Sequence, residues 1–367
     1  MPTKKKDALI HISKRSAVSF KKRLLIRAIA VVLAIILCGI LTMALTGINP
    51  ISVYAEMIDG AFGSTRKTWV TFQDVAILLL IALALTPAFR MKFWNIGGEG
   101  QVLVGGLGSA IVMIKLGDKL PNALVMILMV IAAILFGAIW ALIPAICKAL
   151  WNTNETLSTL MLNYIGTQLV SYFVVAWAVP KGSGKIGIIN QDSHAGWLPN
   201  LFGSKYMLCI TVALLTAVFL FYYINYSKHG YELRVVGESV RTANYVGINV
   251  KTVIIRTMAL SGALCGIVGC LLVGSVNHTI TTTIAGGQGF TAVMVAWMAK
   301  FNPFAMIGTS FIIAFMENGS GDIATNCGLN QSYSDVLTGI ILFFIIGCEF
   351  FINYEIHFRK KDKGEVE

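Results

Sequence analysis

A chain of 367 residues that is 56% hydrophobic and only 13% charged, with mean hydropathy +0.74, is too apolar for an ordinary soluble domain and long enough to cross a bilayer many times. Its net charge of +11 would point to nucleic acid in a soluble protein. Here the lysines and arginines collect at the ends of apolar runs and in the tails, so the lipid bilayer accounts for them and no nucleic-acid partner is expected.

Residues 1–23 are a basic tail. The apolar run that follows, 24–45, is too long for a signal-peptide core and has no small-x-small cleavage site, so it is expected to stay as the first span. A helical crossing needs about twenty apolar residues, and nine further runs approach that length: 74–89, 97–116, 123–146, 156–179, 206–226, 253–275, 289–300, 304–316 and 334–351. The eighth and ninth are short, which suits tilted, broken or partly re-entrant segments. The expected fold class is therefore an all-α polytopic membrane protein of about ten transmembrane helices, with one transmembrane domain over 24–352 and a charged tail over 353–367. With alternate loops assigned to opposite sides and the N-terminus inside, only seven of the 29 lysines and arginines (Arg66, Lys67, Lys115, Lys119, Lys181, Lys185 and Lys205) fall outside. That asymmetry predicts both termini in the cytoplasm. Three outer loops of useful length are expected, at 48–73, 180–205 and 317–333. The seven cysteines show no CxxC spacing and read as small packing residues.

Three polar clusters interrupt the apolar pattern. Asn95, Glu99 and Gln101 stand among Gly97, Gly98 and Gly100, where the backbone can unwind beside a carboxylate and two amides. In the second half, Gly286, Gly287, Gln288, Gly289 and Phe290 likewise introduce an apolar run, and paired glycine-interrupted segments predict a two-repeat transporter with its ligand path near the repeat interface. Between them, Asn154, Glu155, Ser158, Thr159, Asn163 and Tyr164 draw a polar stripe along one span. For Ser158 and Thr159, bonding to neighbouring helices is the plainer reading. Gly262 and Gly266, with Ser261 and Gly269 nearby, read as a close helix-packing face.

Residues 228–250 form the one polar island between two long apolar runs. Gly230, Gly237 and Gly247 divide it into two short helices meeting at Gly237, the second closed by Gly247. Leu233, Val236, Val240, Ala243 and Val246 give an apolar edge, which leaves Glu232, Arg234, Glu238 and Arg241 on the other side. From periodicity alone, a solvated connector with an amphipathic edge is the plainer reading, ahead of a docking element.

The pattern from Arg234 through Gly237, Glu238 and Ser239 to Ala243, Gly247 and Ile248 resembles the cytoplasmic coupling segment of ABC-importer permeases in the branched-chain amino acid, ribose and nucleoside superfamily. Residues 95–101, NIGGEGQ, and 154–164, NETLSTLMLNY, are similar to signatures of the nucleoside-type permeases, and 289–303 resembles a third, in which Trp297 and Lys300 replace smaller residues. The resemblance implies a non-catalytic membrane subunit with Asn95, Glu99, Gln101, Asn154, Glu155, Asn163, Tyr164, Gln288 and Phe290 along the substrate path. It implies ATPase coupling through Tyr231, Glu232, Arg234, Gly237, Glu238, Ser239, Ala243 and Gly247. It also implies a separate ABC ATPase subunit carrying ATP and Mg, a second permease subunit, homologous or identical, and an extracellular substrate-binding lipoprotein. The chain itself needs no cofactor or metal on this reading. The substrate would be a nucleoside, with a ribose-like sugar as the alternative, and the location a bacterial cytoplasmic membrane.

No GxxxxGK[ST] loop is present to energise transport from within the chain; Gly182, Gly184 and Lys185 lack the first glycine and the closing Ser or Thr. An ion-coupled secondary transporter would also be built from repeats, but it leaves the 228–250 island unexplained. An embedded enzyme would need a nucleophile and base, and no HExxH, GxSxG or CxxC pattern supplies one.

Overall fold

The computed structural model describes residues 10–15, 19–326 and 331–358. In chain order the elements are β1 (Ile10–Lys14), α1 (Phe20–Thr46), α2 (Pro50–Phe62), α3 (Thr65–Arg90), α4 (Gly98–Leu116), α5 (Asn122–Trp151), α6 (Glu155–Trp177), α7 (Met207–Tyr226), α8 (Lys228–Glu238), α9 (Val240–Tyr245), α10 (Val250–Leu271), α11 (Gln288–Met298), α12 (Pro303–Asn326), α13 (Gln331–Asn353) and β2 (Tyr354–Phe358). A single π-helical turn, Leu272–Asn277, extends α10. Among the described residues seven helical stretches are long and apolar enough to cross a membrane: Ala28–Leu45, Thr65–Arg90, Gly98–Leu116, Asn122–Trp151, Glu155–Trp177, Met207–Tyr226 and Val250–Asn277. These coincide with the first seven expected spans.

The eighth expected run is a half-length helix. Eleven residues of α11 rise about 16 Å, roughly half of the ~30 Å hydrocarbon core. The ninth is longer than expected: α12 continues past Met316 to Asn326, so that most of the 317–333 loop is helical, with 327–330 outside the described residues. Glu317 and Asp322 lie within this helix, since carboxylates stop an apolar run, not a helix. The 48–73 loop is likewise mostly helix. Asn49 caps α2 by accepting from the Ile51 amide, Pro50 supplies its first turn, and Ser64 caps α3 through the Lys67 amide. Only 180–205 is free of helix, as expected.

The chain divides into two compact units, residues 1–63 with 316–367 and residues 64–315. Within the first, α1 packs on α13, the Thr42 and Tyr333 hydroxyls are bonded, and β1 pairs antiparallel with β2 in a register that sets Ile10 opposite Phe358. This short ribbon, carrying an Arg15–Glu355 ion pair of 2.6 Å, is the one sheet among the described residues of an otherwise helical chain.

In the second unit α3 is buried without a break from Val75 to Phe89, while α5 is buried over less than a quarter of its apolar stretch and so is free to face lipid. α10 packs against α3, α4 and α5, and α4 also packs against α6. Between α4, α5 and α10 the backbones touch. A Cβ placed on Gly266 would overlap the Ala133 carbonyl, one on Gly137 or Gly262 would overlap the other residue's carbonyl oxygen, and one on Gly105 would strike Gly266 Cα. The packing face expected from Gly262 and Gly266 is thus a three-helix seam, held by dispersion between close backbones, not by any hydrophobic drive, which lipid does not supply. Among the described residues Cys38, Cys209, Cys265, Cys270 and Cys348 are buried.

Candidate functional site

Residues 91–97 leave α3 and unwind before α4 begins, so their backbone groups need partners inside the protein. The polar clusters supply them. Asn95, fully buried, donates through Nδ2 to Ser261 Oγ at 3.2 Å, while its Oδ1 accepts from the Gly97 amide at 3.0 Å and from Gln101 Nε2 at 3.2 Å. From α6, Thr159 Oγ1 accepts the Ile96 amide at 3.2 Å and Asn163 Nδ2 donates to the Ile96 carbonyl at 2.9 Å. Asn163 Oδ1 in turn accepts the Gly100 amide at 2.9 Å. The two motifs read separately from the sequence are therefore two sides of one interlock. Gly100 is required there, because a Cβ would press on Asn163 at 2.9 Å.

Glu99, 8% exposed, sits in the first turn of α4. Its Oε1 accepts the Gly287 amide at 2.9 Å and its Oε2 the Gly289 amide at 2.8 Å. These are the free amides at the start of α11, where the positive end of the helix dipole favours a carboxylate. Gly287 adopts φ 75° to turn the chain into the half-helix, and a Cβ on Gly289 would overlap the Glu99 backbone. The two glycine-interrupted segments paired on sequence grounds meet directly at this clamp.

The remaining site residues are placed differently. Asn154 caps α6 by accepting the Leu157 amide at 3.2 Å. Glu155 forms a 2.9 Å ion pair with Lys148 of α5. Tyr164 is 63% exposed, Phe290 is 41% exposed and Gln288 is partly buried. Sequence reasoning missed an aromatic ring beside them. Trp94 and Trp297 lie 4.9 Å apart, with Phe89 edge-on to Trp94 at 6.1 Å, and Phe301 stacked on Phe89 at 5.8 Å. Both indoles are accessible, Trp94 at 40% and Trp297 at 49%. The available signal was spacing: Trp297 follows Phe290 by seven residues, which places both on one face of α11.

The 228–250 island folds as two short helices, with one correction. α8 runs through Gly237, and the joint is Ser239, whose extended backbone (φ −156°) ends α8 while its hydroxyl caps α9 at the Thr242 amide. A hydroxyl at a joint accepts an amide at the head of the next helix, a bond that glycine has no side chain to make. Gly237 serves another purpose: a Cβ there would overlap the Arg90 carbonyl, so glycine lets α8 lie against the end of α3. Leu233, Val236 and Ala243 are buried with Ala88, Met91, Phe93, Ala141, Ala145, Val253 and Met258. Val240 and Val246, expected on the same edge, are exposed. Glu232 is tied to Arg256 at 2.7 Å, whereas Tyr231, Arg234, Glu238, Arg241 and Tyr245 are exposed, and Gly247 closes the turn at φ 81°. A cavity of about 320 Å³ opens between this foot and the helix ends, lined among others by Lys92, Lys148, Glu155 and Glu238.

At the other end of the unit the 180–205 segment is strapped down. The Ile189 amide donates to the His278 carbonyl at 2.8 Å, the Leu198 amide to the Gly274 carbonyl at 2.9 Å, and Trp197 stacks on His278 at 3.8 Å. Burial, with Lys205 and His194 nearby, lowers the His278 pKa below its ordinary value.

Helices of this length and apolarity, wrapped around a broken, internally satisfied polar segment, are the build of a multi-pass membrane protein with a transport-type interior. A family model described as "Branched-chain amino acid transport system / permease component" matches residues 70–346, and the chain belongs to that family. It is 29% identical to the guanosine ABC transporter permease protein NupP of Bacillus subtilis over 93% of this chain and 97% of that one. It is 28% identical to the nucleoside ABC transporter permease protein NupB of Lactococcus lactis, over 88% and 91%, and 26% identical to the glucose ABC transporter permease protein TsgB13 of Haloferax volcanii, over 89% and 88%.

Proposed function

We propose that this chain is the translocation subunit of an ATP-driven nucleoside importer in a bacterial cytoplasmic membrane, crossing it about ten times with both termini inside and with two-repeat symmetry. On this reading the α8–α9 foot faces the cytoplasm, where a separate ATPase subunit holding ATP and Mg docks on Tyr231, Arg234, Glu238 and their exposed neighbours. A second permease subunit completes the path, and an extracellular lipoprotein delivers the solute to the far side. The observation that carries the class is the foot itself, anchored by Leu233, Val236 and Ala243 to the ends of α3, α5 and α10 while its charged face stays free. Movement of such a foot is transmitted to the helices it packs on. Glu99, Asn95, Gln101 and Asn163 then shape the path by holding the broken segments, while Gln288, Phe290 and Tyr164 are accessible to solute.

The resemblance over nearly full length to guanosine and nucleoside permeases supports a nucleoside substrate, and the accessible Trp94–Trp297 pair supports a planar base. The glucose permease relative supports the sugar reading. Competition distinguishes the two: radiolabelled guanosine uptake by the reconstituted complex should be suppressed by purine nucleosides and not by hexoses or pentoses, and the reverse pattern would transfer the assignment to sugars. Stacking of a base on an aromatic ring contributes about 1–3 kcal/mol, and half-exposed indoles should lie at the low end. Trp297→Leu is therefore expected to raise the half-saturating guanosine concentration about three- to tenfold; unchanged kinetics would remove the indoles from the path.

A further inference from the structure

Beside the strapped 180–205 segment lies a cavity of about 430 Å³, within the ~300–1,000 Å³ range of ligand clefts and well away from the polar interlock. One wall carries four hydroxyls, Ser171 from α6 and Thr279, Thr281 and Thr282 from the stretch that follows the π turn. Val174 and Ile186 supply an apolar floor, and Lys185 is the one charged lining residue. The walls are fixed: the Val179 amide donates to the Lys185 carbonyl at 3.1 Å, the Ser183 hydroxyl donates to the same carbonyl at 3.1 Å, and the Ile189–His278 bond ties that loop to the residue preceding Thr279.

We propose that this cavity is a reception site for a neutral, hydroxyl-rich solute on the outer face, occupied before the solute meets the half-helix. Each threonine or serine hydroxyl both donates and accepts, which matches a sugar diol, whose hydroxyls do the same. An apolar solute would bond none of these hydroxyls, of which Thr281 already meets Thr283 Oγ1 at 3.5 Å, and an anion would find a single cation. The placement gives occupancy a consequence. Thr282 is five residues before Gly287, whose amide is held by Glu99, so a solute bonded to the threonines sits at the head of the segment that leads into the clamp.

The inference rests on the import reading, which makes this end the outer one, and the test separates the two. In the reconstituted complex, Thr282→Cys is expected to react with a membrane-impermeant maleimide added outside, above the wild-type background, and guanosine or ribose should slow that reaction at least threefold. Thr282→Val, which keeps the shape and loses the hydroxyl, should raise the half-saturating guanosine concentration about two- to tenfold with the maximal rate unchanged. Labelling only from the inside would overturn the orientation and the proposal with it. Labelling from outside that neither solute slows, in a complex that imports guanosine, would overturn the site alone, as would wild-type kinetics in Thr282→Val.

Discussion

Glu99→Ala is expected to cut solute uptake at least tenfold while leaving the protein inserted and assembled. The carboxylate accepts two amides at the head of α11, and hydrogen bonds to a charged group contribute about 1.5–3 kcal/mol each. Alanine leaves the Gly287 and Gly289 amides without that acceptor, and α11 loses the fixed start that its short length makes necessary. Glu99→Gln should retain part of the activity, because its one carbonyl oxygen can accept from one amide while its NH₂ faces the other. Initial uptake rates, set beside size-exclusion profiles of the purified protein, check both variants. Wild-type uptake in Glu99→Ala would show that the clamp is dispensable.

A second large effect is expected at the glycine seam. Gly266→Leu places a side chain where the Ala133 carbonyl stands, and that carbonyl belongs to the interior of α5 and cannot turn away without breaking its helix. α5 and α10 must then separate along a contact that also includes Gly137 and Gly262, with Gly105 of α4 against Gly266, so the close backbone packing fails along the seam and not at one point. Overpacking a filled site costs about 1–3 kcal/mol where neighbours can shift, and here they are backbone. The expected result is loss of monodisperse protein after solubilisation, or an apparent Tm lowered by several degrees. Gly308→Ala is the control: nothing lies within 4 Å of its Cβ position, and its melting curve should match the wild type.

Seven spans, the glycine seam and the two-helix foot could be read from sequence because each depends on local pattern: a long apolar run, small residues four apart, or a three-residue apolar recurrence. The meeting of Glu99 with Gly287 and Gly289 was legible only as a pairing of two glycine-rich segments, since nothing local says which amides a carboxylate 188 positions away will accept. Helices were missed where hydropathy was the guide. α2 is capped by Asn49 and Pro50, and α12 runs on through Glu317 and Asp322, since helix formation tolerates polar residues that a membrane-span search rejects. Gly237 looked like a joint because glycine breaks helices, yet its missing side chain serves a tertiary contact with Arg90 that only coordinates reveal. Trp94 and Trp297 escaped for the same reason: they are 203 residues apart and their 4.9 Å approach is a product of the fold.

The most direct test of the account is uptake in proteoliposomes containing the permease with its ATPase and binding-protein partners, measured with and without ATP for the wild type and for Glu238→Arg. Glu238 is exposed on the foot, so the substitution should leave insertion and assembly intact. The account predicts guanosine accumulation only when ATP is present, and a loss of tenfold or more in Glu238→Arg. Accumulation that proceeds without nucleotide, or that is the same in both proteins, would contradict it.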